Sequence, residues 1–422
     1  MDVTLEKAEA IDIRVRAPPS KSYTHRALIA AALADGTSTL EHPLDATDTA
    51  ITAAGLGKLG IRIDREGDRL QVTGSGGVLD CSERTELRMG DSGTSFRLLT
   101  SVALLCPCPV ILTGSARMKE RPVGGLVAAL NGIGGRIRYL EAHGFPPLLI
   151  EGELNGGKVC VESSVSSQFA SSLLLAAPCA RSAVELQIPP GAVSLSYLDV
   201  TADVMASFGV PVQRHGYEQF RVLPAHYRAR TYRIEGDYSS ASYFFAMAAV
   251  CGGRATVENL VPASVQGDRA LLDALADMGC RVSASGDAVT LESDGRLEGT
   301  ERDLSASPDI VQTLCMVAAH ARSSSRFTGI SHLQYKESDR IRAILEVIRA
   351  LGGDAAREKD GSVVIRPAPL HGGVIAAGND HRTAMSAAVL GLAVGGITIT
   401  GAECVSKSFP DFWEILHEVG LA

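Results

Sequence analysis

The sequence predicts an α/β (α+β) fold of two domains, each built from three copies of one unit of roughly 70 residues. Three observations carry this. A polar, hydroxyl-rich entry into a helix packed with small apolar residues recurs six times. An amphipathic helix closed by glycine follows each of these. After most of the second helices come short alternating or apolar runs of the kind that form strands.

The first series begins at Ser20 (SKSYTHRALIAAALA), Asp91 (DSGTSFRLLTSVALL), Ser164 (SVSSQFASSLLLAAP), Asp237 (DYSSASYFFAMAAV), Ser307 (SPDIVQTLCMVAAH) and Asn379 (NDHRTAMSAAVLGLAV), at steps of 71, 73, 73, 70 and 72 residues. These helices are apolar on most sides, as buried helices are. The second series is TDTAITAAGLGKLG, RPVGGLVAALNGIGG, SYLDVTADVMASFG, VQGDRALLDALADMG, ESDRIRAILEVIRALGG and FPDFWEILHEVG. Its members carry a charged face and end at Gly60, Gly134, Gly209, Gly279, Gly352 and Gly420, where glycine enters the left-handed region at little cost. One helix of each unit is therefore inner and the other outer. The strand readings are IRID with RLQVTG, RIRYL with PPLLIEG, VPVQ with QFRVL, CRVS with AVTLES, and SVVIRP. The run IDIRV precedes the first full unit and the last unit lacks closing strands, so the N-terminus is expected to complete the second domain. With a linker near Arg230 to Glu235, the boundaries are 17–234 for one domain and 1–16 with 235–422 for the other.

Composition limits what the chain does. Its 422 residues are 45% hydrophobic, enough for sizeable cores, and its net charge of −8 argues against a general surface for nucleic acid or anionic lipid. Any anion site must be built locally. Nine cysteines without a CxxC pair give neither a disulfide framework nor a zinc site. The N-terminus has no signal-like pattern and no run reaches the roughly 18 apolar residues of a membrane span, so a cytoplasmic location is expected.

The stretch PPSKSYTHRALIAAALA reads as an anion seat. Hydroxyls of Ser20 and Ser22 stand at the start of an alanine-rich helix, and Lys21 and Arg26 add charge to the positive end of its dipole. Taken alone, it reads more readily as a capped helix with two solvated cations. Recurrence separates the two readings. SARMKERP places Arg117, Lys119 and Arg121 together, YKESDRIR places Lys336, Glu337, Asp339 and Arg340 at an outer-helix start, NDHR ends in Arg382, and CVSKSFPDF carries Lys407. All fall in register with the repeat, at helix entries. If the inner helices of a domain run parallel, their starts line one cleft, suited to polyanionic substrates.

From PSKSYTHRA to VSKSFPDFW these motifs, with RMKERP, SVSSQF, GDYSSASYF, KESDRI and NDHR between them, resemble those of the 5-enolpyruvylshikimate-3-phosphate synthase family over nearly the whole chain. The resemblance implies the enolpyruvyl transferase fold, two domains of three βαβαββ repeats with the active site in the interdomain cleft. It implies transfer of the enolpyruvyl group of phosphoenolpyruvate to the 5-hydroxyl of shikimate 3-phosphate, releasing phosphate, with no metal and no organic cofactor. By the same resemblance Lys21, Ser22, Arg26, Ser166, Ser167, Gln168, Ser194, Asp309, His332 and Lys336 bind shikimate 3-phosphate. Lys21, Gly93, Arg117, Gln168, Arg340, Arg382 and Lys407 bind phosphoenolpyruvate, whose carboxylate and phosphate suit the guanidinium fork. Asp309, Glu337 and Lys21 are the implied catalytic residues, with Asp309 and Lys336 at the attacking hydroxyl and Glu337 protonating the methylene carbon. Lying between cations, Glu337 has a resting protonation that the sequence leaves open.

His25 and Asp91 stand where the family usually has Asn, His332 where an Asn often contacts shikimate, and Gln334 where Arg is frequent. Because Gly93 is kept beside Thr94, glyphosate is expected to compete with phosphoenolpyruvate. Two rivals remain. The sister transferase acting on UDP-N-acetylglucosamine carries a reactive cysteine where this chain has SARMKERP. A catalytically silent anion-binding homologue needs no acid and base, yet Lys21, Asp309 and Glu337 are present. A monomer is expected, with domains that close when anions bridge them.

Overall fold

The computed structural model describes residues 1–81 and 84–422. The chain divides into two compact units, one of Met1–Pro18 with Glu235–Ala422 and the other of Pro19–Ile234.

In the Pro19–Ile234 unit the inner helices are Lys21–Leu33, Gly93–Ala103 and Gln168–Ala176. Every residue from Tyr23 to Leu33 is buried, as expected of an alanine-rich helix with no polar face. Small hydroxyl residues let these helices approach closely. Ser101 Oγ and Ser172 Oγ lie 2.6 Å apart, joining the second and third. The outer helices Thr47–Lys58, Gly124–Gly132 and Ser196–Ser207 are followed by Gly60, Gly134 and Gly209, all with positive φ. Three four-stranded sheets cover the bundle. In each, a first strand runs parallel to a second, and two antiparallel strands follow, as in Thr85–Arg88, Val110–Thr113, Leu148–Gly152 and Gly135–Tyr139. The strand read at VPVQ forms later, at Gln213–His215, because Val210 is buried while the pairing to Gln219–Val222 starts only at Gln213. The first strand of the first sheet comes from far along the chain: Thr231–Arg233 pairs in parallel with Thr37–Glu41.

The other unit repeats the plan with inner helices Tyr238–Cys251, Val311–His320 and His381–Val394. Every residue from Tyr238 to Val250 and from His381 to Ala393 is buried. Its outer helices are Ala270–Asp277, Arg340–Ala350 and Phe412–Glu418. Ile11–Arg16 is the parallel first strand of the sheet that continues through Gly253–Glu258, Ala288–Ser293 and Arg281–Ser285. The last sheet has three strands, with Asp2–Leu5 antiparallel to Ile397–Thr400 in place of the missing hairpin. Each unit has its own apolar core. Among the described residues no helix is long and apolar enough to cross a membrane.

Candidate functional site

The inner helices start in different ways. Ser20 is the N-cap of the first, but its side chain makes no capping bond. The second is capped by Ser92, whose hydroxyl accepts from Ser95 N, and not by Asp91, which takes a hydrogen bond from Ser115 Oγ. Asp237 and Asp380 cap the fourth and sixth, accepting from Ser240 N at 2.8 Å and Arg382 N at 3.0 Å. The fifth is entered through the short 3-10 turn Pro308–Ile310, which carries Asp309.

In the Pro19–Ile234 unit, Lys21 lies 3.4 Å from the buried Asp48 carboxylate. Arg26 is 1% exposed and is held by neutral oxygen acceptors. Its Nε donates to Thr201 Oγ1 at 2.7 Å, Nη1 to Ser22 O at 3.0 Å, and Nη2 to Ser171 Oγ and Tyr197 O, both at 3.3 Å. Burial lowers its pKa to about 10, which leaves it charged at neutral pH. A buried cation compensated by neutral acceptors is a standing attraction for an anion. Gln168 is fixed from both sides: it accepts from Arg97 Nη1 at 2.9 Å and donates to Thr94 Oγ1 at 2.9 Å. Ser166 and Ser167 are buried just before it, Ser166 Oγ accepting from Gln168 N. Ser194 holds a positive φ of 58° in the turn leading to the outer helix.

The two arginines of SARMKERP stand in different surroundings. Arg117 is half-buried and pairs at 2.9 Å with the exposed Glu120, whereas Arg121, four residues on, is 3% exposed and lies against Gly93. A Cβ on Gly93 would meet Arg121 Nη2 at 2.5 Å. The helix Ala116–Lys119 turns the three cations of SARMKERP to different sides, so the one directed to Gly93 is Arg121. His25, fully buried, bonds Thr52 Oγ1 at 2.7 Å, and Thr52 in turn meets Ser95 Oγ at 2.7 Å. Burial, then Lys21 and Arg26, hold His25 well below its usual pKa, so it is neutral.

The other unit gathers its charged groups on one guanidinium. Arg340, 2% exposed, donates from Nε to Asp380 Oδ2 at 2.9 Å, from Nη1 to Asp309 Oδ1 at 3.0 Å and from Nη2 to Glu337 Oε2 at 2.8 Å. Burial opposes its charge, but Asp380, Glu337 and Asp309 outweigh that and raise its pKa. Asp309 is held from the other side by Arg382, with Nη2 at 2.9 Å from Oδ2 and Nη1 donating to the backbone carbonyl at 3.1 Å. Lys407 Nζ lies 3.6 Å from Glu337 Oε1. His332 is buried, and burial followed by Lys336 pushes its pKa down to about 3. Asp309, Glu337 and Asp380 thus share one largely buried network with Arg340, Arg382 and Lys407, an arrangement suited to moving a proton beside an anion. Sequence reasoning missed Asp48, Arg97 and Asp380, and named Arg121 only as one cation of SARMKERP. Of the three missed, Asp380 carried a signal, as a capping residue inside NDHR.

The family model for EPSP synthase (3-phosphoshikimate 1-carboxyvinyltransferase) matches residues 5–416. The 3-phosphoshikimate 1-carboxyvinyltransferase of Methanoregula boonei is 54% identical over 420 residues, covering 99% of this chain and 100% of that protein. A relative of the same name from Methanoculleus marisnigri is 53% identical over 422 residues, covering 100% of each. Among solved structures, the EPSP synthase of Acinetobacter baumannii superposes with a TM-score of 0.82 at 26% identity, covering 100% of this chain and 98% of that one.

Proposed function

Because the chain belongs to the EPSP synthase family, we propose that its two groups of cationic side chains serve one reaction, with Asp309 and Glu337 as its proton-handling residues. The reaction is transfer of the enolpyruvyl group of phosphoenolpyruvate to the 5-hydroxyl of shikimate 3-phosphate, with release of phosphate. The names of the relatives give no support to a UDP-N-acetylglucosamine transferase or a silent homologue.

Shikimate 3-phosphate is assigned to Lys21, Ser22, Arg26, Ser166, Ser167, Gln168 and Ser194, with Asp309, His332 and Lys336. Phosphoenolpyruvate is assigned to Lys21, Arg117, Gln168, Arg340, Arg382 and Lys407, with Gly93 leaving room for its approach and Arg121, packed against Gly93, added to them. In the addition step the 5-hydroxyl oxygen bonds to C2 of phosphoenolpyruvate, its proton passing to Asp309, while C3 gains a proton from Glu337. Elimination then removes a proton from C3 and breaks the bond between C2 and the phosphate oxygen. In the free protein Glu337 is paired with Arg340 and Lys407. An anionic substrate that takes over either cation leaves Glu337 less compensated, which favours its protonated form when an acid is needed. The protein is further assigned as a cytoplasmic monomer inhibited by glyphosate in competition with phosphoenolpyruvate.

The observation that carries this reading is the simultaneous grip of Arg340 on Asp309 and Glu337. Its test is phosphate release from phosphoenolpyruvate with shikimate 3-phosphate, run in parallel with UDP-N-acetylglucosamine. Release with shikimate 3-phosphate alone is expected, and a fall of roughly a hundredfold or more in kcat for Asp309→Asn and Glu337→Gln. Release only with the sugar nucleotide, or full activity of both variants, overturns it.

A further inference from the structure

Two motifs carry aromatic side chains that the scheme above does not use, GDYSSASYF and VSKSFPDFW, and the fold brings them together at one phenol. Tyr243 lies on the inner helix Tyr238–Cys251 and is fully buried. Its ring meets Phe412 with 5.7 Å between centroids, and Phe412 in turn packs against Phe409 at 5.5 Å and Trp413 at 4.8 Å. All three contacts are edge-on, a geometry that aromatic pairs favour, so the Tyr243 ring is wedged in one orientation. Its hydroxyl is thereby held against Arg382, whose Nη1 donates to it at 3.3 Å. The same Nη1 donates to Asp309 O at 3.1 Å, while Nη2 lies 2.9 Å from Asp309 Oδ2.

We propose that Tyr243 is a positioning residue for Arg382: its hydroxyl, set by the Phe412 ring, fixes the guanidinium in the orientation that receives an anionic group of phosphoenolpyruvate. The chemistry of the two acceptors gives the reason. In the addition step Asp309 gains a proton, and a protonated carboxyl grips a guanidinium less firmly than a carboxylate does. A phenol is neutral throughout the working pH range, so the hold of Tyr243 on Nη1 outlasts that proton transfer. Being neutral, it also leaves the charge of Arg382 for the substrate, where a carboxylate in its place would compete with it. The rings that wedge Tyr243 follow directly on Lys407 in the chain, so one packed cluster sets two of the cations assigned to phosphoenolpyruvate. The inference rests on the reading that Arg382 receives a substrate anion.

The test is steady-state kinetics on Tyr243→Phe, Arg382→Lys and the double variant, with Tm measured for each. Tyr243→Phe removes one oxygen and keeps the ring against Phe412. Its KM for phosphoenolpyruvate should rise about three- to tenfold, the weight of one hydrogen bond, while kcat and the KM for shikimate 3-phosphate move less than about twofold. In the Arg382→Lys background, where the guanidinium is gone, the same change should add little, the non-additivity expected of residues in contact. An unmoved KM for phosphoenolpyruvate in Tyr243→Phe, or a loss that shows only in Tm, overturns the inference. An equal rise in both backgrounds overturns it too, because the hydroxyl then acts without Arg382. A KM unaffected by Arg382→Lys overturns the placement of the anion at Arg382, and the inference with it. If Arg382→Lys turns over too slowly for a KM, that placement stands and Tyr243→Phe decides alone.

Discussion

At the scale of single residues, Gly93 shows how a missing atom makes room. A methyl group there would overlap the Arg121 guanidinium at 2.5 Å, and Arg121 is itself hemmed in, donating from Nη1 to Asp91 O at 3.3 Å. Gly93→Ala should displace the guanidinium, raising KM for phosphoenolpyruvate several-fold or more while kcat changes less, as steady-state kinetics will show. An unchanged KM would mean that Arg121 makes no contact with the substrate. His25 yields a prediction of a different kind. It is neutral in the fold, while the unfolded chain takes up a proton on that residue below about pH 6.5. Stability therefore falls as the pH drops through that value. His25→Asn, which keeps a partner for Thr52, should flatten the slope of Tm against pH between about 5 and about 7; an unchanged slope would refute it. The same residues mark the limit of sequence reading. Lys21, Arg340 and Arg382 were legible because they recur in register with the helix starts. Arg117 and Arg121 sit four apart in one motif, and only the packing of the short helix between them decides which turns inward.

At the scale of elements, all six inner helices and all six glycine-closed outer helices were legible, because burial on every side and a left-handed closing residue both leave a mark on composition. Partners distant along the chain were not. Nothing local to Thr231–Arg233 announces that it pairs with Thr37–Glu41, since three residues carry too little periodicity and register depends on the neighbour. The Ile11–Arg16 strand depends on such a partner too. Gly253, opposite Ile11, has a φ of +102°, and a Cβ there would meet Ile11 O at 1.9 Å. Gly253→Ala combines backbone strain of about 1–3 kcal/mol with a clash against an immovable carbonyl, so it should lower Tm by several degrees. A Tm within experimental error of the parent would show that the strand yields at no cost.

At the scale of the whole molecule, the first sixteen residues belong to one unit while the chain immediately after Pro18 builds the other. Asp2–Leu5 and Ile11–Arg16 supply strands to two sheets of the Glu235–Ala422 unit and to none of the sheets in Pro19–Ile234. They bury Leu5, Ile11, Ile13 and Val15, each 6% exposed or less. At about 1.5–3 kcal/mol per buried side chain the four contribute about 6–12 kcal/mol, as much as the whole stability of a typical domain. Deleting residues 1–16 should therefore unfold one unit and spare the other, two units with separate cores being free to unfold separately. The chain supplies its own reporter, because its single tryptophan, Trp413, lies in the affected unit, 9% exposed, with its Nε1 donating to Ala402 O at 2.8 Å. The truncated protein should show the red-shifted emission of a solvated indole at temperatures where the parent does not, and calorimetry should still record a cooperative transition from Pro19–Ile234. Loss of both signals together would mean that the second core cannot stand without the first. Retention of the buried emission would mean that these two strands only decorate sheets that hold without them.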